Sequence, residues 1–238
     1  MSIAQPILPF QDNTSAALAW LLRQEKNHLD MSEAIYRQEA DVVRTLADGV
    51  LLRHTVTGGY LLSANNPQTL KKLLDAVPDQ TAALTLHEDW AQSELPPREW
   101  HRCFLWYRPG FDPPVFPLNF EIWPLDEGDI PDALACDPGL PVDQLRSQIG
   151  RKKVYGACIQ DQLVGTAGTA PTGEIAWISV RPDLRGQGIG TTLLRWMLRR
   201  ELRQGHAPYL LLPEEKKAFS SWLGREGLSP APGVLLLS

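Results

Sequence analysis

A glycine-rich turn, Arg185-Gly186-Gln187-Gly188-Ile189-Gly190, separates a strand-like run from a helix-like run. The run before it, residues 174–180, is short, apolar and rich in β-branched residues, which is typical of a buried strand. The run after it, residues 191–203, repeats leucine at every fourth position and indicates an amphipathic helix. A glycine turn at a helix start aims unpaired N–H groups at one point, where the helix dipole adds positive charge. The sequence therefore predicts a binding site for a pyrophosphate group.

Three kinds of phosphate-binding loop can be compared with this turn. A dinucleotide-binding loop needs Gly-x-Gly-x-x-Gly, and here the third glycine comes one residue too early. A Walker loop needs Gly-Lys-Ser/Thr, which is absent from the turn. Residues 180–194 instead resemble, almost position for position, the acyl-coenzyme A loop of the GCN5-related N-acetyltransferases (GNAT). The signature of that loop is Arg/Gln-x-x-Gly-x-Gly/Ala after the fourth strand of the fold.

The resemblance implies that acetyl-coenzyme A (acetyl-CoA) is the cosubstrate. The loop would bind its pyrophosphate, and the backbone at the end of the preceding strand would bind the pantetheine arm as an added strand. A β-bulge commonly opens that strand edge. Arg181 and the basic stripe of residues 195–203 are candidates for the adenosine phosphate, with a solvated helix face as the alternative for the stripe. The implied coenzyme-binding residues are Ile178, Ser179, Val180, Arg185, Gly186, Gln187, Gly188, Ile189, Gly190 and Thr191.

A general base is the second requirement of acetyl transfer, because the attacking amine must be deprotonated. Histone-acetyltransferase members of the family carry a glutamate at a place comparable to Glu174, so the resemblance implies Glu174 as the catalytic base. On a regular strand Glu174 shares a face with Ala176, Ile178 and Val180. A solvated strand-edge residue is the alternative for Glu174. Weaker candidates for the base are Glu215 and the acidic set Asp126, Glu127 and Asp129, which is typical of first-turn helix charges.

The chain departs from the family where a proton donor for the leaving thiolate is expected. Many members carry a tyrosine in the helix after the fifth strand. Here the corresponding place falls on Trp222 or Leu223, and neither side chain can donate a proton to a thiolate. Hydroxyl groups in the neighbourhood belong to Ser220, Ser221 and Tyr209.

The resemblance implies an α/β (α+β) protein with the GNAT fold, a mixed central sheet flanked by helices. The predicted domains are an N-terminal α/β domain at 1–108, a proline-rich linker at 109–117 and a coenzyme-binding domain at 118–238. In the N-terminal domain we expect helices over 15–29, 32–46 and 66–77, a hairpin over 50–63 and an extended segment over 81–87. This order loosely resembles a degenerate GNAT half without a glycine loop.

Composition limits the function classes. The 238-residue chain has 43% apolar residues and a net charge of −5, which argues against nucleic acid as a partner. Three distant cysteines and isolated histidines predict idle thiols and no metal site. The start lacks a signal-peptide pattern and the chain lacks an apolar run long enough to span a membrane, so we expect a cytoplasmic protein without a membrane partner.

Together these observations favour an N-acetyltransferase in which a small-molecule or protein amine attacks acetyl-CoA directly in a ternary complex. No cysteine near the loop could carry the acetyl group. A non-catalytic acyl-CoA-binding or regulatory GNAT-like protein is the alternative, and a two-half aminoacyl-transferring relative is a weaker one. The acceptor and the oligomeric state stay open.

Overall fold

The computed structural model describes residues 12–79, 83–87, 95, 99–110, 112 and 120–237. The chain divides into two compact units. The first comprises Met1–Tyr107, Leu211–Gly224 and Leu228–Ser238, and the second comprises Arg108–Leu210 and Arg225–Gly227. Most of the proline-rich segment predicted as a linker lies outside the described residues. The domain boundaries at 108, 117 and 118 stay predictions.

The helices and strands follow one another in mixed order. Up to residue 107 they are α1 (Asp12–Leu21), α2 (Leu29–Tyr36), β1 (Ala40–Leu46), β2 (Gly49–His54), β3 (Tyr60–Ala64), α3 (Pro67–Leu74), β4 (Leu84–Leu86) and β5 (Trp100–Tyr107). Beyond it they are β6 (Glu121–Pro124), α4 (Ile130–Cys136), α5 (Val142–Gly150), β7 (Val154–Ile159), β8 (Gln162–Thr169), β9 (Ile175–Val180), α6 (Ile189–Arg203), β10 (Tyr209–Pro213), α7 (Ser220–Arg225) and β11 (Ser229–Leu237). Short 3₁₀ segments include Leu22–Asn27, Glu127–Asp129, Pro182–Leu184 and Glu214–Phe219.

The strands form two sheets. Seven strands lie in the order β1-β2-β3-β4-β11-β5-β10, and four lie in the order β6-β7-β8-β9. Strands β3 and β4 pair in parallel, whereas β1–β2, β2–β3, β4–β11 and β11–β5 are antiparallel. The larger sheet is therefore mixed, and the predicted α/β class with a mixed sheet flanked by helices is confirmed.

Two helix predictions in the N-terminal half were wrong. Residues 15–29 do not form one helix, since α1 ends at Leu21 and Gln24 in the following 3₁₀ segment has a non-helical backbone. Residues 32–46 do not form one helix, since α2 ends at Tyr36 and Ala40–Leu46 is strand β1. Gln38 has φ 58°, a left-handed backbone conformation that ends the helix, and β1 then pairs with β2. Strand β5 (Trp100–Tyr107) lies in a stretch for which no element was predicted.

The C-terminal half follows the predicted pattern more closely. Strand β9 and helix α6 occupy the runs predicted at 174–180 and 191–203, and β7 and β8 form a β-hairpin. Gln160 and Asp161 have φ 50° and 62°, as a tight two-residue hairpin turn requires. The leucine-rich stripe of α6 is buried as predicted.

The four-stranded sheet of the second unit is covered on both faces. On one face, a Cβ added at Gly165 of β8 would lie 3.0 Å from Leu193 Cδ1 of α6, so α6 packs closely on the strand. On the other face, α4 and α5 bury a core with Ile130 and Leu145, and Trp177 of β9 packs against it. This arrangement fixes the start of α6 beside the end of β9.

Candidate active site

The end of strand β9 has backbone groups that do not bond to the neighbouring strand β8. β9 is the edge strand of its sheet, and among the described residues only β8 pairs with it in that sheet. The N–H of Arg181 donates to the carbonyl of Val164 at 3.0 Å. Because antiparallel pairs alternate between bonded and non-bonded partners, Ser179 bonds toward β8 and the N–H and C=O groups of Ile178 and Val180 point to the open edge.

The side chains of β9 alternate in the same way. A Cβ added at Gly190 would lie 3.5 Å from Val180 Cγ2 and 3.8 Å from Ile178 Cγ2, so both side chains face the start of α6. Ser179 points to the opposite face, toward α4. The predicted residues Ile178, Val180 and Gly190 are therefore brought together, whereas the backbone of Ser179 is not at the open edge.

The glycine turn has the backbone conformation that its sequence predicts. Gly186 and Gly188 have φ 80° and 82°, and a Cβ at either would meet nothing within 4 Å. Gly188 is the N-cap of α6, and Ile189, Gly190 and Thr191 follow in its first turn. The first N–H groups of a helix lack intrahelical partners and carry the positive end of its dipole. An exposed turn at this place suits a pyrophosphate.

The side chain of Arg185 connects the glycine turn to strand β9. Its Nε donates to the carbonyl oxygen of Val180 at 3.2 Å. That carbonyl is one of the open-edge groups, so Ile178 N–H, Ile178 C=O and Val180 N–H are the edge groups left for a pantetheine arm. The side chain of Arg185 is exposed, as is that of Gln187. This geometry accommodates the coenzyme that the turn predicts.

The arginines proposed for the adenosine phosphate have partners of their own. Arg181 forms a two-pronged ion pair with Asp183, at 2.7 and 3.1 Å. Arg195 is paired with Glu226 at 2.6 Å, and the Glu226 carboxylate is nearly buried. Arg203 is exposed. Their role toward a phosphate stays a prediction.

Glu174, the predicted base, lies one residue before β9 and is half-buried. The Thr172 hydroxyl donates to its Oε2, and its carbonyl accepts from the N–H of Ala170 at 2.9 Å. The hydroxyl of Tyr209 donates in turn to the Thr172 carbonyl at 2.6 Å. Tyr209 therefore supports the segment that presents Glu174, and its proton is engaged there.

A β-bulge separates Glu174 from the rest of the strand. The register against β8 shifts so that Ala176 is the extra residue. The bulge interrupts the alternation of side chains along the strand. The even spacing of Glu174, Ile178 and Val180 therefore does not place Glu174 on the same sheet face as the other two. Its role as the base stays a prediction.

The weaker acidic candidates have structural partners. Asp126 accepts from the N–H of Gly128 at 2.7 Å, and Asp129 accepts from the N–H of Asp126 at 2.8 Å, which is a capping box. They are first-turn helix charges, as predicted. Glu215 is exposed in the 3₁₀ segment Glu214–Phe219.

At the place where the family's proton donor is expected, Leu223 is buried in the first unit, to which Ser220 and Ser221 also belong.

Sequence reasoning missed Asp137. This residue follows α4, and its Oδ2 accepts from the Ser179 hydroxyl at 2.8 Å. Its Oδ1 accepts from the N–H of Gly139 at 3.0 Å. The signal in the sequence is the order Asp137-Pro138-Gly139 between two helices, a pattern typical of a turn held by an aspartate side chain. The contact with β9 has no sequence signal.

The three cysteines are buried, and they form no disulfide with one another. Burial raises the pKa of the Cys136 thiol to about 11 and that of the Cys158 thiol to about 12. Because a thiolate rather than a thiol is the nucleophile, both groups are inert at neutral pH.

Neither a membrane-spanning helix nor a metal-binding cluster is found among the residues that the structure describes. No helix in the described part of the chain is long and apolar enough to cross a membrane. Among the residues that the structure describes, no group of three or more His, Cys, Asp or Glu could hold a metal ion.

Part of the chain is similar in sequence to a known family. Residues 150–221 match the family model described as the acetyltransferase (GNAT) domain, and this stretch contains β9, the glycine turn and α6. No curated protein matches the chain in sequence.

Several solved structures share the fold along nearly the whole chain. A Drosophila protein is 12% identical with a TM-score of 0.65, covering 95% of this chain and 96% of its own. A GCN5-related N-acetyltransferase from Kribbella flavida is 14% identical with a TM-score of 0.56, covering 88% and 92%. A GCN5-related N-acetyltransferase-like protein from Streptococcus suis is 14% identical with a TM-score of 0.54, covering 95% and 98%. At these identities the likeness shows the fold, and the predicted GNAT fold is confirmed.

Proposed function

Because the chain carries a GNAT acetyltransferase domain, we propose that it transfers the acetyl group of acetyl-CoA to an amine. The observation that carries this proposal is the open edge of β9 beside the glycine turn of α6. An extended thioester arm and a pyrophosphate need these two features side by side. The coenzyme-binding residues of the proposal are those of the edge and the turn without Ser179, whose hydroxyl donates to Asp137 on the opposite face.

The reaction proposed is a direct attack in a ternary complex. The amine nitrogen forms a bond to the thioester carbon, the carbon–sulfur bond breaks, and the sulfur keeps the electron pair as a thiolate. Glu174 takes the proton from the amine, directly or through water, and water protonates the thiolate. The raised pKa values of Cys136 and Cys158 support this route, because neither protonated thiol can carry the acetyl group between two steps.

The test is a thiol-release assay on the whole chain with acetyl-CoA and a panel of amines: glycine, butylamine and a lysine-containing peptide. We expect coenzyme A to be released in step with formation of one acetylated amine. Calorimetric titration of coenzyme A is run alongside. Absence of coenzyme binding by the folded protein would remove the basis of the proposal.

A non-catalytic acyl-CoA-binding role is the second candidate. It is favoured by the apolar side chains of Trp222 and Leu223, where a tyrosine is expected in the family. Binding of coenzyme A in the calorimetric titration, without acetylation of any amine in the panel, would favour this role over catalysis.

A further inference from the structure

Four buried polar side chains form a cluster in the first unit. They are His28 at the start of α2, Asp30 on α2, Ser63 on β3 and His87 directly after β4. Each is at most 4% exposed. His28 Nε2 lies 2.9 Å from Ser63 Oγ. His87 Nε2 lies 2.7 and 2.9 Å from the two oxygens of Asp30, and the centroids of the two imidazole rings are 5.9 Å apart. The cluster therefore fastens the start of α2 to two strands of the seven-stranded sheet.

The hydrogen-bond partners of His87 call for a proton on each of its ring nitrogens. Nδ1 lies 3.2 Å from the carbonyl oxygen of Leu62, which can only accept. Nε2 faces both oxygens of Asp30, and an ionised carboxylate also only accepts. A bare nitrogen at either place would set its lone pair against those of an oxygen. The pair of His87 and Asp30 therefore holds the second histidine proton, and its net charge is zero.

The neighbouring His28 needs only one proton. Its Nδ1 lies 3.2 Å from the carbonyl oxygen of Leu21, whereas its Nε2 faces the hydroxyl of Ser63, which can donate. A proton on Nδ1 alone satisfies both contacts. Burial, and secondarily the nearby His87, lowers the pKa of His28 to about 4. The two adjacent histidines are thus in opposite protonation states at neutral pH.

The other charged groups on the surrounding elements do not compensate a second positive charge in this cluster. Glu33 on α2 is buried and already paired with Arg37 at 3.2 Å. His54 is buried at the other end of β2, four residues beyond Val50, which is the residue paired with Ser63. The remaining charged or titratable side chains of the 3₁₀ segment, α2 and the β1 region are partly or fully exposed: Arg23, Glu25, Lys26, Tyr36, Glu39, Asp41 and Arg44. Strands β3, β4 and β11 carry no Asp, Glu, Lys or Arg.

We propose that the four residues form a pH-sensitive latch that holds α2 on the sheet, closed while His28 is neutral and His87 keeps its second proton. Acid opens the latch because it adds an uncompensated charge to the interior at His28. Alkali opens it because it removes the proton from His87 and leaves Asp30 as an unpaired buried anion. A histidine in an open segment titrates near pH 6.5, so the latch is tightest at about that pH. This property does not depend on the acetyl transfer proposed above.

Hydrogen exchange of the whole protein measures the opening. The amides of α2 are followed by mass spectrometry at pH 5, 6.5 and 8, and their rates are corrected for the intrinsic pH dependence of exchange. Helix α3 is the control, because it packs in a different hydrophobic cluster of the same unit. We expect the α2 rate relative to α3 to be lowest at pH 6.5 and about five- to tenfold higher at pH 5 and at pH 8. A ratio that is constant, or that rises on one side only, overturns the latch.

Nuclear magnetic resonance of the imidazole nitrogens tests the protonation states directly. In the isotope-labelled parent protein at pH 6.5, His87 should show two protonated nitrogens. His28 should show a protonated Nδ1 and a bare Nε2. A bare nitrogen on His87, or two protonated nitrogens on His28, contradicts the proposal without any substitution in the chain.

A pair of variants assigns the proton to its partner. Asp30→Asn and Glu33→Gln each replace a buried carboxylate of α2 by an amide. We expect Asp30→Asn to remove the second proton of His87 and to abolish the rise of α2 exchange between pH 6.5 and pH 8. Glu33→Gln should retain both. Equal behaviour of the two variants contradicts the role of Asp30, and if Asp30→Asn does not fold, the two measurements on the parent decide the question.

Discussion

Two structural requirements make glycine the suitable residue at position 188. Its φ of 82° is a conformation that only glycine adopts without strain, and its missing side chain leaves the start of α6 open to a ligand. We predict that Gly188→Asp weakens coenzyme A binding at least tenfold, about 1.4 kcal/mol, because it adds a negative charge beside the pyrophosphate. Isothermal titration calorimetry measures the change.

Gly205 provides the matched control for backbone strain. It follows the same helix, has φ 80° and also has nothing within 4 Å of an added Cβ. Gly205→Asp therefore introduces the same residue into a similar conformation away from the turn. Equal losses of coenzyme affinity in both variants would show that strain, and not contact with the phosphates, explains the result.

Glu174 is predicted to matter for turnover and not for coenzyme binding. A general base typically contributes about 10²–10⁴-fold, so Glu174→Gln should lower kcat/KM by roughly that factor. Exposed Glu121 on β6 is the control, and Glu121→Gln should keep the parent rate. Full activity of Glu174→Gln at every pH would assign the base to another carboxylate, to water or to an already neutral amine.

His28 makes the stability of the first unit depend on pH. Burial, and secondarily the nearby His87, lowers its pKa from 6.5 to about 4. Between these values the unfolded chain binds a proton that the folded chain does not, so stability is complete above about pH 6.5 and falls as the pH drops toward 4. The full effect amounts to about 3 kcal/mol.

Urea unfolding at pH 7 and pH 5 tests this expectation. Replacing His28 by Gln should reduce the difference in unfolding free energy between the two pH values. His101→Gln, at an exposed position on β5, should preserve the parent difference. The assignment to His28 fails if both variants keep the same pH dependence as the parent.

At the scale of elements, the periodicity of apolar residues predicted helices and strands well wherever one face of the element is buried against a neighbouring element. Helix α6 has a leucine stripe and a buried face, and β9 has a continuous apolar run, so both were predicted nearly to their ends. The segment 32–46 also has helix-compatible spacing, yet pairing with β2 makes its second half a strand. The spacing of apolar residues within the segment does not reveal that it pairs with another strand.

The candidate site shows the same limit. Backbone groups of the turn and edge follow from local sequence, and they were predicted. The Ser179–Asp137 contact joins residues from two elements on one sheet face, so it depends on how α4 packs and could not be predicted.

Gly168 lets Trp177 lie flat on the neighbouring strand. A Cβ at Gly168 would be 2.1 Å from Trp177 Cζ2, which the packed ring cannot accommodate without moving. We predict that Gly168→Ala destabilises the protein by about 1–3 kcal/mol. Gly150→Ala is the control, since an added Cβ there meets nothing within 4 Å. Equal unfolding midpoints for both variants in thermal denaturation would contradict the close approach.

At the scale of the whole molecule, two strands near the C-terminus lie in the same sheet as strands from the first half of the sequence. In the structure β10 and β11 belong to the seven-stranded sheet, where β11 lies between β4 and β5. Pairing between strands so far apart in sequence follows from tertiary packing and has no local signal.

Coenzyme stoichiometry is a prediction for the whole chain. The N-terminal half has no glycine-rich phosphate loop in its sequence, so we expect one coenzyme A per chain. Calorimetric titration of the parent measures the stoichiometry, and Gly188→Asp should weaken the same single event. Two equivalent binding events per chain would contradict the prediction.

The position of β11 has a consequence for synthesis. During synthesis β4 and β5 leave the ribosome first. Strand β11, which lies between them in the sheet, follows on the order of 100 residues later. At about 5–20 residues per second, this delay is roughly ten seconds. During that time the outer edge of β4 and both edges of β5 wait for their partner strands, and exposed strand edges are a hazard for aggregation. Chaperones that shield exposed strands during translation should therefore affect the yield of this protein more than its final stability.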